Sequence, residues 1–100
     1  MSVYVDDAIW VFAGRRWCHL LADDTEELHR FAARMGIHPL SYQGPPKTSA
    51  PHYDLTGFER DRAIRMGATP VGRAEIVQVF RKVRERRRRP EQQSLAPAAE

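Results

Sequence analysis

The pattern of apolar and polar positions predicts alternating strands and helices along the first 83 residues. Val3 to Val5 is a short β-branched and aromatic run that stops at two acidic residues, as a buried strand does where it meets a polar loop. Asp24 and Glu27 form a capping-box pattern, and Gly36 stands where a left-handed C-cap would lie. A helix is therefore predicted between them, with an apolar face made of Leu28, Phe31, Ala32 and Met35.

The same order of signals returns later in the chain. Thr56 and Glu59 make a second capping-box pattern, and Gly67 is placed to end the helix that follows. Residues 34–40 and 65–71 resemble one another, since each has a glycine that ends a helix before a short apolar segment. A third helix is predicted to begin near Arg73, with an apolar stripe made of Ile76, Val79, Phe80 and Val83.

Two segments are less regular. Residues 9–22 contain Trp10, Phe12 and Trp17 among polar residues, and this pattern fits either a hairpin or an aromatic loop. Residues 43–51 contain a glycine and three prolines, which excludes a helix or an interior strand. We expect residues 43–51 to form a surface loop beside any site in the fold.

These elements predict an α/β fold with a small, mostly parallel sheet and about three helices. Residues 1–83 are expected to form one domain, and residues 84–100 a basic, disordered tail. In such sheets ligands gather beyond the carboxyl ends of the strands. Asp6 and Asp7 follow the first strand and would lie at that edge.

Composition narrows the class of protein. The chain has 100 residues, enough for one domain, and its apolar runs are too short to cross a membrane. The first ten residues lack the basic start of a secretory signal, so a cytoplasmic location is expected. Cys18 is the one cysteine, which excludes an internal disulfide and favours a buried structural thiol.

The net charge of +3 is unevenly distributed. Residues 81–100 hold seven of the 16 Lys and Arg against three acidic residues, whereas residues 1–80 carry nine basic and ten acidic residues. A basic run can bind nucleic-acid phosphates, and it can equally be a solubilising terminus. Any nucleic-acid partner would therefore be bound through Arg81, Lys82, Arg84, Arg86, Arg87, Arg88 and Arg89.

Four segments resemble a known family, the bacterial and phage family of short uncharacterised proteins called domain of unknown function 4031. They are Val3-Tyr4-Val5-Asp6-Asp7, Gly14-Arg15-Arg16-Trp17 with His19 and Asp23, Glu27-Leu28-His29 with Phe31-Ala32, and Pro51-His52-Tyr53-Asp54. The resemblance extends to residues 62–64 and 67–68 and covers most of residues 2–80. It supports the domain boundary and implies no catalytic role.

Acidic and imidazole side chains cluster in three of these segments. A strand that ends in two carboxylates can hold a divalent cation, and His52 and Asp54 would project from one side of an extended segment. If the segments converge, the mixed donors favour Mn, Zn, Fe or Ni over calcium. The candidate catalytic residues are Asp6, Asp7, His19, Asp23, His52 and Asp54, and all of these except Asp23 are candidate metal ligands.

Each cluster also has a simpler interpretation. Asp7 would then cap a turn, Asp23 would cap the first helix, and His52 would be a packed residue whose polar edge binds the backbone. In that case the Asp and His side chains would only hold long loops together.

The leading hypothesis for function is a metal-dependent hydrolase that acts on a phosphoester. A metal-bound water would attack, and Arg16 or Arg62 would bind the phosphate. The alternative hypothesis is a binding module that engages nucleic acid or a protein through the aromatic residues of segment 9–22 and the basic tail.

Overall fold

The computed structural model describes residues 2–7 and 10–98, with only the backbone described at Trp10 and over residues 87–98. This part of the chain forms an α/β domain with three helices, as predicted, and its one sheet is mixed. In chain order the elements are β1 (Val3–Val5), β2 (Trp10–Phe12), β3 (Arg15–Ala22), α1 (Thr25–Met35), a 3₁₀ turn (Pro39–Ser41), β4 (Tyr42–Gln43), β5 (His52–Thr56), α2 (Gly57–Arg65), β6 (Thr69–Pro70) and α3 (Arg73–Ala98).

The predicted mostly parallel sheet is wrong. The strand order is β4-β5-β3-β1-β6, with β2 paired to one end of β3. Among the described strands, β1 and β6 are the only hydrogen-bonded neighbours that pair in parallel. The sheet is mixed because other strands lie between the two strands that each of the helices α1 and α2 connects. α1 joins β3 to β4 and α2 joins β5 to β6, and in both cases the two joined strands have the same direction. A strand of opposite direction lies between them, β5 in the first case and β3 in the second.

The ambiguous segment 9–22 is a hairpin over its described residues, and Ile9 lies outside them. Ala13 and Gly14 occupy the turn with φ of 52° and 74°. Positive φ at both turn residues suits the right-handed twist of paired strands, and glycine reaches it without strain. Phe12 is exposed beside the turn, and Trp17 is half-buried, with its Nε1 donating to the carbonyl of Phe12 at 2.9 Å.

The predicted helix ends are confirmed for α1. The Asp24 side chain accepts a hydrogen bond from the Glu27 amide, and Gly36 adopts a left-handed conformation with φ of 82°. For α2 the capping box of Thr56 and Glu59 is complete in both directions.

The third helix, α3, begins at Arg73, as predicted, and extends to Ala98. The division of the chain after residue 83 and the disorder of residues 84–100 stay predictions. None of the described helices has the length and apolar character needed to cross a membrane.

Side chains of β3 alternate between two faces of the sheet. Leu20 and its neighbours two residues away pack with α1 and with Ala63 of α2 in the main core. His19 and Leu21 project from the opposite face, which α3 covers. Ile76 and Val83 of α3 are buried there, outside the main core cluster.

Cys18 is fully buried on the core face of β3. Burial and the negative charge of Asp6 raise the pKa of its thiol to about 12. The thiol therefore stays protonated and unreactive at neutral pH, which agrees with the structural thiol expected from the sequence.

Candidate metal centre

Three of the predicted site residues meet on the α3 face of the sheet. His19 of β3 lies directly opposite Asp54 of β5 in the antiparallel register. His52 precedes Asp54 by two residues, so the two side chains project from the same face of β5. One donor atom from each of the three residues lies within 4.8 Å of the others.

One pair of these donors has the spacing of two ligands on a divalent transition metal. His52 Nε2 and Asp54 Oδ1 are 3.4 Å apart. Two ligand atoms that bind one tetrahedral zinc, each at about 2.1 Å, are separated by roughly 3.4 Å. A shift of roughly 1 Å in side-chain position would bring all three donors onto one ion.

Asp6 fixes the orientation of His19. This carboxylate lies just past the end of β1 and is 5 % exposed. Its Oδ1 accepts from the His19 backbone amide at 2.6 Å, and its Oδ2 lies 2.7 Å from His19 Nδ1. In many metalloproteins a ligating histidine donates its second ring nitrogen to a carboxylate in this way. His19 would therefore bind a metal through Nε2.

The other two donors are oriented as well. His52 Nδ1 lies 2.7 Å from the carbonyl oxygen of Ala50, which accepts its proton and leaves Nε2 as the metal-binding nitrogen. Gln43, the neighbour of His52 across β4 and β5, donates from Nε2 to Asp54 Oδ2. Asp54 Oδ1 then faces His52 Nε2. Each of the three candidate ligands therefore has a partner that sets its orientation.

His52 and Asp54 each shift the pKa of the other. Burial alone would lower the pKa of His52, but the Asp54 carboxylate and the Ala50 carbonyl together raise it above its ordinary value. Burial alone would raise the pKa of Asp54, but His52, His19 and Gln43 together lower it. Each side chain therefore stabilises the charged form of the other, and a cation bound there would compete with the proton on His52.

α3 covers the donor cluster with an aromatic side chain. The Phe80 ring meets those of His19 and His52 nearly edge to face, with centroids 5.7 and 6.1 Å away. Only 12 % of the His52 side chain is exposed, against 30 % for His19 and 27 % for Asp54. The cluster therefore lies under α3 and not beyond the strand ends, where ligands were expected.

The structure does not bring all six predicted residues together. Asp23 lies at the other end of β3, where its carboxylate accepts from the Ser2 amide and the Tyr4 hydroxyl. It caps no helix, because that position belongs to Asp24. Asp7 is exposed and lies 3.5 Å from Arg60.

The two arginines predicted to bind phosphate are exposed on other elements of the structure. Arg16 is exposed in the β2–β3 hairpin, and Arg62 is exposed on α2. Their role as substrate-binding residues stays a prediction.

Four groups that were not among the predicted site residues help to build the cluster: Gln43, the Ala50 carbonyl, Arg60 and Phe80. Arg60 of α2 donates from Nε to the Asp6 carbonyl at 2.7 Å and so fixes the segment that orients His19. Phe80 belongs to the apolar stripe predicted for the third helix, but that pattern predicts only core packing. Nothing in the sequence indicates the contact of Gln43 with Asp54, because it depends on strand register.

The predicted binding surface is partly described. Phe12 is exposed, but the Trp17 indole is held by the hairpin itself, and the side chain of Trp10 lies outside the described residues. Of the seven basic residues after position 80, the side chains of Arg87, Arg88 and Arg89 also lie outside them. Binding of nucleic acid or protein stays a prediction.

Fold and cluster together define a small α/β domain with two imidazoles and a carboxylate gathered on one face of a mixed sheet. Residues 3–83 match the model of a family described as Protein of unknown function (DUF4031), and the chain belongs to this family. No match was found among curated proteins or among solved structures.

Proposed function

We propose that this protein is a metal-dependent hydrolase that acts on a phosphoester. The observation that supports this best is the set of donors from His19, His52 and Asp54, all within 4.8 Å of one another. Two histidines and one carboxylate, with a further position for water, are the ligands of many catalytic zinc sites. Mn, Fe and Ni are also compatible with imidazole and carboxylate donors.

The residues around the cluster have distinct tasks in this proposal. A bound divalent metal would lower the pKa of a coordinated water towards neutrality and so supply hydroxide for attack on phosphorus. Asp6 would hold His19 in one orientation and increase its basicity, and Gln43 would do the same for the Asp54 carboxylate. Phe80 would limit the access of bulk water on the α3 side.

A test of catalysis needs the metal and a substrate together. The purified chain, loaded in turn with Zn, Mn, Ni and ferrous iron, would be assayed with p-nitrophenyl phosphate and bis-p-nitrophenyl phosphate. We expect hydrolysis with at least one metal, and loss of that activity in Asp54→Asn. Asp61→Asn, an exposed carboxylate on α2, is the matched control and should keep full activity.

Two results would overturn the proposal. One is hydrolysis of neither ester with any of the four metals, and the other is equal activity in Asp54→Asn and the unmodified chain. Consumption of oxygen by the iron-loaded protein without ester hydrolysis would also count against it, since two histidines and a carboxylate also hold iron in oxygenases.

Replacing Asp6 with asparagine tests the role of the carboxylate behind His19. The side chain keeps its shape, but Nδ1 of His19 loses a charged acceptor, so zinc affinity should fall roughly 10- to 100-fold. Competition with a chromogenic chelator measures this, and Asp61→Asn is again the control. Unchanged affinity in a variant with a native circular-dichroism spectrum would show that Asp6 does not support the metal site.

A further inference from the structure

A cavity of about 710 Å³ lies between the loop that follows β4 and the helix α3. The loop contributes Thr48, Ser49 and two prolines, and α3 contributes Arg81, Arg84 and Glu85. The three metal-donor residues are not among those that line it, so it is a separate feature of the surface. Cavities of roughly 300–1,000 Å³ hold small organic ligands.

Two guanidinium groups give the cavity its charge. Arg81 and Arg84 are three residues apart on α3, so their side chains leave the helix on the same side. Within the described residues neither forms an ion pair. Guanidinium groups bind phosphate oxygens through paired hydrogen bonds, and two of them side by side favour a phosphate dianion over a neutral ligand.

The remaining polar groups favour a ligand that also has hydrogen-bond donors. The Thr48 hydroxyl accepts from the Ala50 amide at 3.3 Å, so its own proton can be donated to a phosphate oxygen. Glu85 offers only acceptors when ionised. It repels a bare anion but binds hydroxyl or amino groups, so the lining as a whole suits a phosphate attached to a polar organic group.

The cavity and the metal centre share two segments of the chain. Ala50 accepts from His52 through its carbonyl and donates to Thr48 through its amide, which connects a metal donor to the cavity wall. On α3, Phe80 covers the two histidines and is followed directly by Arg81. A ligand held in the cavity therefore lies alongside the segments that build the metal centre.

We infer that this cavity binds the phosphate of a small phosphorylated compound of nucleotide size, whose organic part donates hydrogen bonds to Glu85. This goes beyond the proposed function, because the cavity is separate from the metal centre and its ligand is inferred from the residues that line it. Arg81 and Arg84 take the phosphate-binding role, Thr48 donates to the same group, and Glu85 selects for hydroxyl or amino groups.

The test is a binding measurement on the full chain without metal. Adenosine 5′-monophosphate, adenosine and inorganic phosphate would each be titrated into the protein by calorimetry. We expect the monophosphate to bind at least tenfold more tightly than adenosine and more tightly than phosphate alone. Binding of the monophosphate should weaken at least tenfold in Arg84→Gln and in Arg81→Gln, whereas the control Arg65→Gln, at an exposed position of α2, should leave it unchanged.

Equal affinity for the monophosphate and adenosine, or full affinity in both cavity variants, would overturn the inference. Arg81 and Arg84 are exposed, so their variants should fold, and a thermal melt checks this. Binding of the monophosphate should survive Asp54→Asn, because Asp54 does not line the cavity. A failure of the cavity is therefore seen without metal, and a failure of the hydrolase is seen in the ester assays.

Discussion

Replacing His52 with alanine should abolish tight zinc binding. The variant loses one of three donors, so the affinity should fall more than the roughly 10- to 100-fold that removal of an outer hydrogen bond costs. His52 is the least exposed of the three donor side chains, with Nδ1 held by Ala50 and Nε2 facing Asp54. Calorimetric titration of the metal-free protein with Zn, Mn and Ni measures the change.

His38→Ala is the matched control for this experiment. His38 is exposed in the loop after α1, where its side chain accepts a hydrogen bond from the Leu40 amide. Its removal should leave the metal affinity unchanged. If both histidine variants bind zinc as the unmodified chain does, or if the unmodified chain binds none of the three metals, the cluster has only a structural role.

Truncation of Leu20 to alanine should destabilise the fold by about 2–5 kcal/mol. Leu20 is completely buried in β3, which pairs with β1 and β5 on its two sides, and its side chain belongs to the main core cluster. A domain of this size has only about 5–15 kcal/mol of stability, so the variant should unfold at much lower urea concentration. Equilibrium unfolding followed by circular dichroism gives the difference.

Leu40→Ala serves as the control, because its side chain is 88 % exposed in the 3₁₀ turn. Its free energy of unfolding should change by less than about 0.5 kcal/mol. A loss below about 1 kcal/mol for Leu20→Ala would show that the interior around β3 can close over the missing methyl groups.

Local signals predicted the helices well, because the groups that end a helix are close together in sequence. Asp24 with Glu27, Thr56 with Glu59, and Gly36 each act within one turn, so their hydrogen bonds are readable from spacing alone. The start of α3 near Arg73 was predicted from a different local signal, the helical spacing of its apolar residues.

Strand direction was not predictable by the same means. Each helix does connect strands of like direction, as the repeated helix-to-strand pattern suggested. Which strands lie between them depends on contacts far apart in sequence, such as those of Leu20 with Val5 and Tyr53 across β3. These contacts depend on which arrangement of strands buries the apolar faces most completely, and the local sequence pattern does not predict that arrangement.

The residue types at the candidate centre were visible in the sequence, but their grouping was not. Antiparallel pairing of β3 with β5 puts His19 opposite Asp54 in the middle of the sheet, whereas a parallel sheet would have gathered side chains at its carboxyl edge. The same register leaves Asp23 at the far end of β3, so spacing alone could not separate it from the donors. The role of Phe80 depends on where α3 crosses the sheet.

The placement of Phe80 on the last helix affects the order in which the centre is completed during synthesis. All three donors belong to residues 19–54, whereas the ring that covers two of them lies in α3. Because the ribosome makes the chain from its N-terminus, the strands that present the donors emerge before their cover. Until α3 follows, a nascent chain has the three donors but not the Phe80 ring that covers two of them.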